Sequence, residues 1–167
     1  VKVAAKVMYP DIQEMNAGLY CWLDPDDESL LVLQRLLRHA PFKTENLTKL
    51  HTTVLYCKGP ILPHDVTVPE DRKIPAEITF LDVWTDHEGD TIVVAKLVSD
   101  ELQDLHKELT GQGLKHNFDD YLPHMTLAKG IDLDAAARLW IDQRNRDLAD
   151  EPLFIWFDES LKGATCE

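Results

Sequence analysis

The chain has 167 residues, of which 44% are apolar, and a formal charge of −13. That length suits one compact domain, or two half-domains sharing a core; no run of about 18 apolar residues is present to span a bilayer, and the first 20 residues lack a secretory layout. The acidity works against long nucleic acid, whose affinity needs many Lys/Arg to phosphate contacts, while a few fixed donors in a cleft can still hold a small anion.

In chain order, residues 17–23 (AGLYCWL) read as a short strand, and DPDDE supplies turn residues and acidic caps for a helix over roughly 28–39. Leu30, Leu33, Leu36 and Leu37 fall on one face of it. Residues 49–57 (KLHTTVLYC) are β-branched and aromatic, as in a strand. The Pro-rich stretch over 58–75 reads as an irregular surface connection, either a flap beside a site or a tolerated insertion. Strands over 77–84 and 91–98 flank the hairpin loop TDHEGD. A helix over about 100–110 opens at Ser99 and closes at Gly111 and Gly113. YLPHMTLA is the next strand; Asp132 or Asp134 caps a third helix running to about Arg146, and PLFIWFD closes the series as a strand. The first 16 residues receive no assignment.

Strand, helix, His-bearing strand, strand is followed by the same four elements again, with one extra helix before the last strand. The chain therefore reads as a single bilobal domain of two repeated halves, about 17–84 and 91–158. Spacing agrees: Tyr20 to His51 is 31 residues and Val94 to His124 is 30. The three cysteines, Cys21, Cys57 and Cys166, are odd in number and lack CxxC spacing, so neither a disulfide framework nor a zinc knuckle is expected, and a reducing cytoplasm suits them.

Each half carries His-x-Thr followed by an apolar residue: His51, Thr53 and Val54 in LHTTVLY; His124, Thr126 and Leu127 in LPHMTLA. Side chains two apart on a strand share a face, so each histidine stands beside its threonine while Val54 and Leu127 turn into the core. Seven histidines and eleven threonines lead one to expect about half of one chance match, so it is the placement of two matches at equivalent points of a repeat that gives them weight. Two imidazoles facing one phosphodiester can take a proton from an internal 2′-hydroxyl and deliver one to the leaving oxygen near neutral pH. Threonine hydroxyls beside them can hold non-bridging phosphate oxygens. This chemistry needs no metal or other cofactor. A metal site would recruit His51, His124 and Asp119 or Asp120, for which no ligand spacing is present.

The paired motifs in a duplicated half resemble the 2H phosphoesterase superfamily. That resemblance implies an α+β bilobal fold whose β-α-β-β halves form two antiparallel sheets around a central cleft, with His51, Thr53, His124 and Thr126 catalytic. Within the superfamily, HTTVLY and HNFDDYLPHMTLAKG are most similar to phage anti-CBASS nucleases. The resemblance implies a metal-independent enzyme in the host cytoplasm that opens 3′-5′ bonds of cyclic di- or trinucleotides through a 2′,3′-cyclic phosphate, with the small cyclic nucleotide as partner. It also implies base contacts from aromatic and acidic side chains near the chain ends, here Tyr20, Trp156 and Glu159. The alternatives are processing of RNA 2′,3′-cyclic phosphate ends, which the acidity disfavours, and nucleotide sequestration without cleavage.

The other five histidines, His39, His64, His87, His106 and His116, read as structural or solvated. Lys58, Lys115 and Lys129 are candidate sources of positive potential, and Cys57 shares the face of His51 by strand parity, as an ordinary buried thiol.

Overall fold

The computed structural model describes residues 2–4, 18–57, 67–69, 72–114, 120–158 and 161–166. In chain order the elements are β1 (Lys2–Ala4), β2 (Gly18–Leu23), α1 (Asp27–Leu36), β3 (Thr52–Cys57), β4 (Thr67–Pro69), β5 (Ile74–Thr85), β6 (Thr91–Val98), α2 (Asp100–Thr110), β7 (His124–Lys129), α3 (Ala135–Asp150), β8 (Leu153–Phe157) and β9 (Lys162–Cys166). The expected strands and helices occur in the expected order; β1 and β4 come in addition, β4 inside the 58–75 stretch that reads as irregular.

The helix starts follow from caps. Asp26, Ser99 and Asp134 each accept a backbone N–H three residues on, so Asp134 rather than Asp132 opens α3. Acidic residues in the first turns of α1 and α2 complement the positive helix end. The first helix stops earlier than expected, because the backbone turns over at His39, whose φ is 63°. The third runs past Arg146, its added turn docked by buried Leu148. A 3-10 turn over Leu47–Lys49, capped by Asn46, replaces the expected start of the His51 strand. His51 consequently stands between a turn and β3.

Two sheets are expected; the described strands instead form one antiparallel sheet of seven, ordered β8-β5-β6-β7-β3-β2-β9, with β1 and β4 as a separate ribbon. Two strand groups, β8-β5-β6-β7 and β3-β2-β9, join edge to edge through a single residue pair of β3 and β7, Thr52 with Met125, and they are not the two sequence halves, because β5 of the first half lies between β8 and β6 of the second. β9, which sequence reading left out, adds to β2. Where β8 ends beside Ile78, the open edge of β5 is closed by a side chain: Asn145 of α3 accepts from Leu81 N (2.7 Å) and donates to Leu81 O (2.9 Å). Leu33 and Leu36 of α1, Leu102, Leu105 and Leu109 of α2, and Ile141 and Leu148 of α3 form one buried cluster with Val54, Met125, Leu127 and Phe157 of the sheet. His51, Thr53, His124 and Thr126 are only half-buried.

Candidate active site

The residue between histidine and threonine in each motif is where the two motif strands, β3 and β7, meet. Thr52 and Met125 are opposite one another and fully buried, so the positions flanking them turn to the other face. Continuing that register brings His51 towards Thr126 and Thr53 towards His124 across the seam. Two bonds reinforce the single ladder pair: Thr52 Oγ1 donates to His124 O (2.9 Å), and Tyr121 Oη donates to Thr53 O (2.9 Å).

Each motif is followed by a β-bulge at the same place. Trp22 pairs with Thr53 and Cys21 with Leu55, so Val54 is an extra residue; Val94 pairs with Thr126 and Val93 with Ala128, so Leu127 is its counterpart. Both bulged side chains are fully buried, as the apolar residue after each threonine predicts. A bulge takes a carbonyl out of the ladder, and each is satisfied by a different donor: His106 Nδ1 to Val54 O (2.7 Å) and the Glu45 N–H to Leu127 O (2.7 Å). His106 is indeed structural. Tyr121, stacked on it at 4.1 Å and 9°, is fixed by the same arrangement.

The bulge overturns one parity expectation. Tyr56, opposite Tyr20, reaches the face of Thr53, while Cys57 turns inward and is buried. Cross-strand register also corrects the repeat: Tyr20 opposite Tyr56 matches Ile92 opposite Lys129, not Val94.

The two imidazoles are held alike. His51 Nδ1 donates to Lys49 O (2.8 Å) and His124 Nδ1 to Leu122 O (2.8 Å), each a carbonyl two residues earlier. With Nδ1 carrying the proton in both neutral rings, Nε2 is the exchangeable nitrogen of each. Burial holds His124 below the ordinary histidine value, and the neighbouring His51 lowers it further, outweighing the bond to Leu122 O. His124 therefore favours its neutral form.

Around this symmetric centre the walls differ. On the β2 side the Tyr20 hydroxyl lies 2.8 Å from His51 Nε2 and 2.9 Å from Thr53 Oγ1, and its ring stacks on Trp22 at 5.1 Å. Burial pushes the Tyr20 phenol up, so the hydroxyl keeps its proton. On the other side the Trp84 ring lies 4.6 Å from the His124 ring at 60°, its Nε1 held by Asp82 Oδ2 at 2.9 Å. Lys96, paired with His124 across the ladder, completes this wall.

Of the residues singled out in the sequence, the structure brings together His51, Thr53, His124, Thr126 and Tyr20. Trp156 lies on β8, exposed and separated from β7 by β5 and β6. Glu159 lies outside the described residues, as do Lys58, Lys115, His64, His116 and Asp119. Lys129 is engaged by the β5–β6 hairpin, 3.6 Å from Asp86 and 3.2 Å from Glu88. The acidic group Asp86, Glu88 and Asp90 is built into that turn, where Asp86 Oδ1 accepts from the Glu88 and Asp90 N–H groups. Sequence reading missed Trp22, Trp84, Asp82 and Lys96. Position within their strands was legible, but which of them stands beside which histidine depends on cross-strand register.

The family described as Anti-CBASS protein Acb1 matches residues 17–143, a span that contains both motifs and ends before Trp156. The Anti-CBASS protein Acb1 of Vibrio phage KVP40 is 34% identical over 114 residues, covering 68% of this chain and 73% of that relative. That of Salmonella phage S16 is 31% identical over 122 residues, covering 71% and 76%. Among solved structures, Kluyveromyces marxianus Usb1 with uridine monophosphate aligns over 90% of this chain and 94% of that one, at 12% identity and a TM-score of 0.47.

Proposed function

The chain belongs to the anti-CBASS protein Acb1 family, and from that premise we propose that it is a metal-independent phosphodiesterase of the 2H type acting on cyclic di- or trinucleotides inside the infected host cell. The observation that carries this reading is the matched anchoring of His51 and His124 through Nδ1, beside a threonine each, on either side of one seam.

In the proposed reaction, neutral His124 takes the proton of a ribose 2′-hydroxyl through Nε2 as that oxygen attacks the adjacent phosphorus. The bond from phosphorus to the 5′-oxygen of the next nucleotide breaks, and His51 Nε2 delivers a proton to that oxygen, leaving a 2′,3′-cyclic phosphate. Tyr20 suits this role because its hydroxyl can donate to a neutral Nε2 or accept from a protonated one. Thr53 and Thr126 bond the non-bridging oxygens as charge gathers there. With the proton roles exchanged, water then opens the cyclic phosphate. Tyr20 with Trp22 on one wall and Trp84 on the other offer aromatic faces to the bases.

The test is incubation with a 3′,3′-linked, adenine-containing cyclic dinucleotide in EDTA, with phosphate-end mapping of products. The wild type should linearise the ring, and His51→Ala and His124→Ala should each lose about 10²- to 10⁴-fold in kcat. Survival of the intact ring across a panel of cyclic di- and trinucleotides sinks the proposal; activity abolished by EDTA removes its metal-independent part.

A further inference from the structure

The centre of the site is two-fold symmetric in chemistry, yet the residue next to each histidine is not. Lys96 pairs with His124 and Val94 with Thr126 on adjacent strands. In the other half Trp22 pairs with Thr53 and Leu23 with Thr52, so the residue that the same count places beside His51 is Asp24. One side thus has a cation where the other has a carboxylate, and Asp24 is itself paired with Lys162.

Lys96 is 46% exposed at its side chain, and its Nζ stands 3.8 Å from Asp82 Oδ2, too far for a hydrogen bond. That oxygen already accepts from Trp84 Nε1 at 2.9 Å, and Asp82 Oδ1 accepts from the Val83 N–H at 2.9 Å. Asp82 therefore steers the ammonium by charge without occupying its three donors. Because neighbouring strands lie about 4.8 Å apart and the lysine stem adds several ångströms, the ammonium stands beyond the His-Thr pairs of β3 and β7, on the β6 side. In a chain of net charge −13, a cation in that place is not explained by the general surface.

We propose that Lys96, steered by Asp82 beside His124, binds the second, uncleaved phosphate of the substrate, and so selects ligands with two phosphates over mononucleotides. This rests on the phosphodiesterase reading and extends it: a ligand bearing only the reacting phosphate has nothing to offer Lys96, whereas a cyclic dinucleotide places its other phosphate one strand further along the sheet. The contact is made to the substrate before and during reaction alike, so it lowers KM without altering kcat.

The experiment compares wild type, Lys96→Gln and Lys96→Arg on two substrates in EDTA, a 3′,3′-cyclic dinucleotide and adenosine 2′,3′-cyclic phosphate. The same ligands are also titrated calorimetrically into each protein carrying His51→Ala. Lys96→Gln should raise KM and Kd for the cyclic dinucleotide about tenfold, with kcat within about twofold and the cyclic mononucleotide unaffected. Lys96→Arg should recover most of the loss. Equal losses on both ligands, or none on either, overturn the proposal while leaving the phosphodiesterase reading intact if the wild type still cleaves. Should the wild type cleave nothing yet Lys96→Gln weaken only the two-phosphate ligand, the phosphodiesterase reading falls and the role of Lys96 stands. Absence of cyclic dinucleotide binding overturns both.

Discussion

Thr52→Val separates the seam from the rest of the fold. Thr52 is fully buried, and valine keeps its shape while removing the Oγ1 donor to His124 O, one of two side-chain bonds that reinforce a single ladder pair. Loss of a buried hydrogen bond with its acceptor left under-satisfied costs about 1 to 2 kcal/mol after the gain from valine's apolar methyl, which lowers Tm by about 2 to 8 °C in a domain of this size. The larger effect is on rate, since freeing the His124 backbone lets the imidazole drift, and a displacement near 1 Å can cost about 10²-fold. Asn145→Ala is the control: it leaves Leu81 N–H and C=O without their side-chain partner, two strands from β7 and without touching either bond of the seam, for at least as large a stability loss. Thermal melts and turnover of a cyclic dinucleotide should show both variants destabilised, with kcat falling tenfold or more in Thr52→Val and staying within about twofold in Asn145→Ala. If Thr52→Val melts lower but retains its kcat, or if both variants lose rate in proportion to stability, the seam does not position the imidazoles.

Because burial, and secondly His51, keep His124 below its ordinary value of 6.5, its base form persists to more acid pH, and the acid limb of kcat/KM should lie below pH 6.5. In His51→Ala the charge contribution disappears while burial remains, so an NMR titration of His124 should move upward yet stay under 6.5; an unchanged or lower value would show that the rings do not sense one another. His106→Phe keeps an aromatic ring against Tyr121 but leaves Val54 O without its donor, at a cost of about 1 to 3 kcal/mol. Denaturant unfolding should register that loss together with reduced turnover, and a variant as stable as the wild type would mean that the bulge carbonyl needs no such cap.

Much of this protein is legible along the chain because it depends on neighbours in sequence. The caps Asp26, Ser99 and Asp134 fix where helices begin, leucine spacing fixes their buried faces, and the repeated His-x-Thr plus apolar residue marks equivalent points of two halves. Even the buried Val54 and Leu127 follow from alternation. Alternation fails at the next step, since a bulge inserts one residue and exchanges the faces of all that follow; Tyr56 rather than Cys57 therefore joins the site.

Tertiary structure alone decided that the strands form one sheet through Thr52 and Met125 in place of two sheets, with β5 of the first half built between β8 and β6 of the second. It also decided that Tyr20 reaches His51, that Trp84 reaches His124 from two strands away, and that Lys96 and Asp24 differ beside otherwise matched histidines. Local propensity and periodicity set what each segment is and which side it buries. Register between distant strands is set by the summed packing and hydrogen bonding of the whole sheet, and the walls of the site come from that register.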